Sequence, residues 1–146
     1  MDIREMTIQD YDAVYALWMN SINMGFNTLD DSREGIGRLL RRNPNTSFVA
    51  MDGEKLTGVI LSGQDGRRGY IYHMCVAEAY RRQGLGSELV NRCLAALKAE
   101  GINKVALLVF NRNEAGNGFW EAQGFTVRSD VTYRNKELTK LIRIDT

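Results

Sequence analysis

The apolar residues of this chain fall into two rhythms, one helical and one extended, with the changeover near Ser47. Ile3 to Met6 reads as a short strand. Thr7 reads as the N-cap of a helix in which Tyr11, Val14, Leu17 and Trp18 recur at helical spacing. The polar stretch from Asn20 to Asp31, which contains Gly25, reads as a loop. A second helix then runs toward Arg42 and is ended by Pro44, the chain's one proline, which pushes Asn43 out of helical geometry.

Beyond Ser47 the period shortens. Phe48 to Met51, the Asp52-Gly53 turn and Leu56 to Leu61 read as a hairpin, and Asp65-Gly66 marks a further turn. Tyr70 to Val76 follows with almost no polar alternation, as in a strand covered on both faces. Leu85, Leu89, Cys93 and Leu97 then repeat one turn apart, and Gly101 stands where a helix C-terminal glycine is expected. Lys104 to Phe110 reads as another buried strand and Glu114 to Gln123 as a helix. Two terminal strands are predicted around Thr126 to Tyr133 and Leu138 to Ile144. With no repeat, linker or low-complexity tract, residues 1–146 read as one α/β domain with a mixed sheet, about seven strands and about four helices.

Composition excludes more than it adds. Charged residues at 25% and apolar residues at 44% are ordinary for a globular chain. Nineteen basic residues against eighteen acidic ones leave a net charge of +1, with no electrostatic footprint for nucleic acid and no Lys/Arg run to mark a membrane surface. The longest apolar run, Val105 to Phe110, is far too short to cross a bilayer. Met1-Asp2-Ile3-Arg4-Glu5 lacks the basic and apolar regions of a secretory leader. Cys75 and Cys93 lack disulfide or metal spacing, and His73 is the single histidine, so no metal site is expected. A reduced, cytoplasmic protein without nucleic-acid or membrane partners is the expectation.

Candidate chemistry concentrates where an apolar strand hands over to the long helix, at Arg81-Arg82-Gln83-Gly84-Leu85-Gly86. The first N–H groups of a helix have no internal partner, and the macrodipole adds partial positive charge there. Glycine at 84 and 86 lets a diphosphate approach those donors without meeting a Cβ. Arg81 and Arg82 add fixed charge and paired donors at the mouth. A glycine pair alone is a weak signal. Gly35-Ile36-Gly37 repeats the spacing inside the second helix, with no strand ahead of it and Ser32 where Arg81 stands. A plain strand-to-helix turn with solvated arginines therefore stays open. The dinucleotide fingerprint is absent, since its third glycine falls on Leu89, and there is no Gly-Lys-Ser/Thr.

Two longer stretches make a resemblance. Residues 70–87, YIYHMCVAEAYRRQGLGS, resemble the central motif of the GNAT N-acetyltransferase superfamily: an apolar strand ending in valine, a short link with an aromatic, then Arg/Gln-x-x-Gly-x-Gly/Ala. Residues 113–125, NEAGNGFWEAQGF, resemble its second motif, Asn-x-x-Ala-x-x-aromatic/Leu-Tyr-x-x-x-Gly-Phe. The two motifs cover about a fifth of the chain, and the order of elements covers nearly all of it.

The resemblance implies a mostly antiparallel central sheet, acetyl-CoA as co-substrate, and direct attack of a primary amine, carried by a small molecule or a peptide, on the acetyl thioester. Backbone N–H groups of Gln83, Gly84, Leu85, Gly86 and Ser87 would bind the diphosphate. Met74 and Val76 would pair their main chain with the pantetheine arm, and one N–H of that strand would polarise the thioester carbonyl. Asn113, or Asn111 two residues earlier, would contact CoA. The family's proton-donating tyrosine falls on Trp120, whose indole N–H only donates a hydrogen bond. Trp120 is therefore expected to line the CoA cleft or pack under it. Tyr133, Tyr72 and Tyr70 are available as the acid, or none is needed because a thiolate leaves readily. The same departure keeps open a CoA-binding sensor that has lost catalysis.

His73 is the best candidate base. It lies on the strand that meets the thioester, and imidazole exchanges a proton near neutral pH. A buried or substrate-contacting histidine is the competing reading. Cys75 is expected to face away from His73 as a small buried hydrophobe, and Cys93 is core by its spacing. Asn20, Asn23, Asn27, Asp30 and Asp31 either contact the acceptor or form a solvated loop with a helix cap. Edge strands near the C-terminus are candidates for pairing two subunits into a homodimer.

Overall fold

The computed structural model describes residues 1–146 as seven strands, four α-helices and two short 3-10 turns. In chain order these are β1 (Asp2–Glu5), α1 (Tyr11–Met19), β2 (Gly25–Asn27), α2 (Arg33–Arg42), β3 (Phe48–Asp52), β4 (Lys55–Gln64), β5 (Gly69–Val76), α3 (Leu85–Ala99), β6 (Val105–Leu107), α4 (Glu114–Ala122) and β7 (Arg143–Asp145). The 3-10 turn Ile8–Asp10 leads into α1. Asp10 closes it by accepting from the Thr7 amide at 2.8 Å while Arg4 holds the same carboxylate at 2.8 and 2.9 Å. Ser32 caps α2 through its hydroxyl, which accepts from the Gly35 amide at 3.0 Å.

Five strands form the central sheet in the order β1-β3-β4-β5-β6, antiparallel except for the last pair, and β2 and β7 form a separate antiparallel ribbon. The sheet is covered on both sides. Val14, Trp18, Ile36 and Leu40 of α1 and α2 pack with Val49, Val59 and Leu61 on one face. Leu85, Leu89, Cys93 and Leu97 of α3 pack with Phe48, Ala50 and Ile60 on the other, with Phe119, Trp120 and Phe125 at the margin. Double burial is why β4 lacks polar alternation; β5, expected to be covered on both faces, is so only at Cys75 and Val76, since Tyr70 and Tyr72 are exposed.

Two irregularities of β5 open the sheet at one end. Leu61 of β4 pairs with His73, yet the next residue, Ser62, pairs with Ile71, so Tyr72 is an extra residue in the ladder. In addition, β6 pairs only with Gly69 to Ile71. The residues of β5 from Tyr72 to Val76 have no neighbouring strand on that edge, and the sheet splays there.

The structure departs from the sequence reading in three places. The polar loop after α1 contains β2, whose buried Phe26 pairs with Ile144. The strand predicted to run buried to Phe110 stops at Leu107, and as an edge strand it buries none of its residues fully. No strand forms at 126–133, and the predicted last strand shrinks to β7. Val127, Val131, Tyr133, Leu138 and Ile142 are all exposed, so this stretch alternates without a surface on which to bury its apolar side, and alternation alone does not make a strand.

Candidate functional site

The splay opens a cleft of about 810 Å³. One wall is β5 from Ile71 to Met74, and the other is the chain from Leu107 to Asn111 with Asn113 and Trp120. Residues 23–27 and parts of the C-terminal segment, including Tyr133 and Lys136, close its remaining sides. Arg112 donates to the Asn23 side chain at 2.9 Å and tethers the two rims.

His73 stands in the cleft wall, and its surroundings are specific. Its Nε2 lies 2.7 Å from Oδ1 of Asp31, and each side chain is only 12% exposed. Trp18 and Phe26 pack edge-on against the imidazole, with centroids 5.0 Å away in both cases. The second carboxylate oxygen of Asp31 accepts from the Asn27 amide at 2.9 Å, and the Asp31 carbonyl accepts from the Tyr11 hydroxyl at 2.7 Å. Asp31 is therefore part of a braced turn, although in the sequence it is only one of five polar loop residues. No local pattern marks a contact spanning 42 positions.

Cys75 does not face away from His73. The two residues are two apart beyond the bulge and share the α1 side of β5, since Cys75 joins the core that contains Trp18 and Phe26. Burial pushes its thiol up to about 12, and contributions from Ser21 and Arg81 in the other direction do not offset this. A thiol so placed is no nucleophile. Tyr72 is half exposed in the cleft, and its phenol is held above the ordinary range by burial first and then by Tyr70 and Asp65. That makes it a poorer proton donor than an exposed tyrosine.

The glycine turn lies just outside the cleft, at the start of α3. Gly84 is left-handed (φ +81°) with open space where a Cβ would project. Arg82 is also left-handed at φ +63°, a conformation that costs a non-glycine residue about 1 kcal/mol. Two side chains pin the turn: Tyr80 donates to Asp52 at 2.8 Å, and Arg81 Nε donates to the Val76 carbonyl at 2.9 Å. Arg81 thus holds the turn to the end of β5, and the carbonyl of Val76 is occupied. The helix has no side-chain cap, and the N–H groups from Arg82 to Ser87 find no acceptor among the turn and loop carbonyls. Bare amides, a helix N-terminus and two arginines make an anion seat.

Gly86 serves a different purpose from Gly84. A Cβ there would sit 3.2 Å from the ends of Met74 and Phe119, so its smallness lets α3 approach β5 and α4. The look-alike Gly35 is explained differently again, because a Cβ would run into the carbonyls of Leu29 and Asp30.

Of the residues singled out by sequence, His73, Met74, Asn113, Trp120 and Tyr133 line the one cleft. Val76 and the turn from Arg81 to Ser87 do not line it, and Met74 joins the two regions by packing near Gly86. Asn113 caps α4, accepting from the Gly116 amide at 2.9 Å. Trp120 packs edge-on between Phe119 and Phe125, each 5.1 Å away. Tyr133 is 64% exposed in the irregular C-terminal segment. Ser87 accepts from Gln123 at 2.8 Å, a tie between α3 and the end of α4 that no sequence pattern foreshadows.

Residues 11–125 match the model of the acetyltransferase (GNAT) family. The acetyltransferase SG1711 of Sodalis glossinidius is 29% identical over 138 residues, which cover 94% of this chain and 96% of that protein. Among solved structures, Ard1 from Thermoplasma volcanium superposes with a TM-score of 0.77 at 24% identity, covering 88% of this chain and 84% of the other. The PaiA N-acetyltransferase of Thermoplasma acidophilum, solved in complex with coenzyme A, superposes with a TM-score of 0.76 at 18% identity, covering 89% and 92%.

Proposed function

The chain belongs to the acetyltransferase (GNAT) family and is an acetyl-CoA-dependent N-acetyltransferase, and on that premise we propose how its cleft divides the work. The observation that carries the reading is a continuous path. An uncapped helix N-terminus with free amides at 82–87 connects, through Met74, to a splayed strand whose wall holds an oriented imidazole.

Acetyl-CoA supplies a thioester carbon at which the acceptor nitrogen forms a C–N bond as the C–S bond breaks and the sulfur departs with its electron pair. The amides of Gln83, Gly84, Leu85, Gly86 and Ser87 bind the diphosphate, with Arg81 and Arg82 adding charge at the rim. The left-handed Gly84 and the open space at its Cβ position support this fit. Main-chain groups of Met74 and Val76, on the strand edge that β6 leaves uncovered, hold the pantetheine arm. The carbonyl of Val76 already accepts from Arg81, so Met74 carries most of that pairing. Asn113 and Trp120 line the cofactor side of the cleft.

The acceptor is a primary amine, on a small molecule or a peptide, entering beside Tyr72 and Tyr133. It reacts as the neutral amine, and His73 takes the proton that the nitrogen sheds as the C–N bond forms. Tyr133 returns a proton to the departing sulfur, a role supported by its place in the same cleft and by the inability of Trp120 to fill it. Thiol release from acetyl-CoA across a panel of amines and short peptides tests the assignment. Turnover with at least one amine is expected, with His73→Ala slower by about 10²-fold or more in kcat. Equal turnover by His73→Ala would remove the base.

A further inference from the structure

We propose that Asp31 is the positioning residue of the site: it fixes the tautomer and the direction of His73 so that Nδ1 is the atom offered to the acceptor. The inference rests on the reading of His73 as the base and adds what makes it one. An ionised carboxylate has only acceptor sites, so the 2.7 Å contact requires the proton on Nε2 of the neutral ring. The lone pair is then on Nδ1. His73 lines the cleft and Asp31 does not; with Nε2 taken by Asp31, Nδ1 is the ring nitrogen without a protein partner, and it is not fully buried, so it is the one left to an acceptor. When the imidazole takes a proton at Nδ1, the contact to Asp31 becomes a charge-assisted bond and holds the cation in place.

The carboxylate is itself immobilised. Both its oxygens are used, one on His73 and one on the Asn27 amide. The turn that carries it is braced by the Asn27 side chain, which accepts from the Leu29 and Asp30 amides at 3.0 and 2.7 Å. Tyr11 fastens the Asp31 carbonyl from α1. Trp18 and Phe26 pack edge-on against the ring and restrict its rotation. The cap of α2 is Ser32, not Asp31.

Asp31→Asn is the informative change because it preserves shape. The amide oxygen must still accept from the Asn27 amide, so its NH₂ group turns toward Nε2 and donates. That places the ring proton on Nδ1 and converts that atom from acceptor to donor. His73 is the only histidine in the chain, so the long-range nitrogen–proton NMR spectrum of the imidazole contains one residue. The Nε2–H tautomer is expected in the wild type at pH 8 and the Nδ1–H tautomer in Asp31→Asn. The variant's kcat is expected to fall about 10- to 100-fold, with both KM values within about threefold, the scale of a misoriented catalytic group. A wild-type ring protonated on Nδ1 overturns the proposal, and so does a variant that switches tautomer while keeping its kcat. The spectrum reads Asp31 without reference to turnover. If His73→Ala proves fully active, the base assignment fails on its own, and the tautomer result still reports whether Asp31 orients the ring.

Discussion

Replacing Gly84 by alanine separates the fold from the coenzyme at a single atom. The position is left-handed at φ +81°, and a Cβ there would meet nothing within 4 Å. The cost to folding is then conformational only, about 1–2 kcal/mol for an L-residue in that region. For a chain of this length it corresponds to a loss of about 3–6 °C in Tm. The cost to binding is larger. A methyl group projecting from the turn holds a phosphate oxygen away from the amides of 84–86. Losing one charge-assisted hydrogen bond there costs about 1.5–3 kcal/mol. Since each 1.4 kcal/mol is tenfold, Kd for CoA and KM for acetyl-CoA should rise about 10- to 100-fold. The assay pairs a thermal melt with titration calorimetry against CoA. Gly35→Ala is the control: its Cβ meets the carbonyls of Leu29 and Asp30, which cannot give way as a side chain can, so it loses stability while leaving CoA affinity in the folded fraction intact. A Gly84→Ala protein that melts early but binds CoA as tightly as the wild type would refute the anion seat.

Burial raises Cys75 to about 12 and Cys93 to about 11, so neither should react with a thiol reagent at pH 8 until the chain is unfolded; fast native labelling would contradict their placement. Because both thiols are raised, the stability they contribute is complete below the unfolded thiol value of about 8.5 and is lost as pH rises toward 11–12, visible as a falling urea midpoint. Burial pushes the Asp10 carboxyl up, but bonds from Arg4 and Thr7 outweigh it and hold the group below the usual range. Its stabilisation is therefore present above about pH 4 and lost as pH falls, and Arg4→Ala should cost under about 1 kcal/mol at pH 7 and less at pH 3, since the pair is partly exposed. Tyr133→Phe should lower kcat about 10²-fold with KM nearly unchanged; equal rates in stopped-flow thiol release would remove that hydroxyl from the reaction.

Much of this architecture is legible in the chain because its determinants are local. The α3 helix announces itself by Leu85, Leu89, Cys93 and Leu97, and the structure buries all four. The proposed anion seat is likewise read from glycine and arginine at a strand-to-helix boundary, where the structure places an uncapped helix start. The features that stay hidden depend on distant partners. Strands β2 and β7 are three residues each, too short to show a period, and find each other across more than a hundred positions. Asp31 looks like any polar loop residue until the fold sets it against His73. The reverse error occurs at 126–133, where alternation is present and a pairing partner is not. Gly86 marks the turn in the sequence for an electrostatic reason, but the structure gives it a packing reason instead, against Met74 and Phe119.

The surplus residue at Tyr72 decouples two properties of β5 that a regular strand would tie together. Ile71 already points toward α3 and His73 toward α1, opposite Ser62 and Leu61, so excising Tyr72 would leave every remaining pair in register and the imidazole still beside Asp31. The excision would remove the local bend and extra twist that a bulge imparts just where β6 stops following the strand. Losing any single residue from His73 to Val76 would instead turn part of the strand over and exchange its two apolar faces. Tyr72 is thus the one place in β5 where shortening the chain straightens the strand beside the cleft and spares the core.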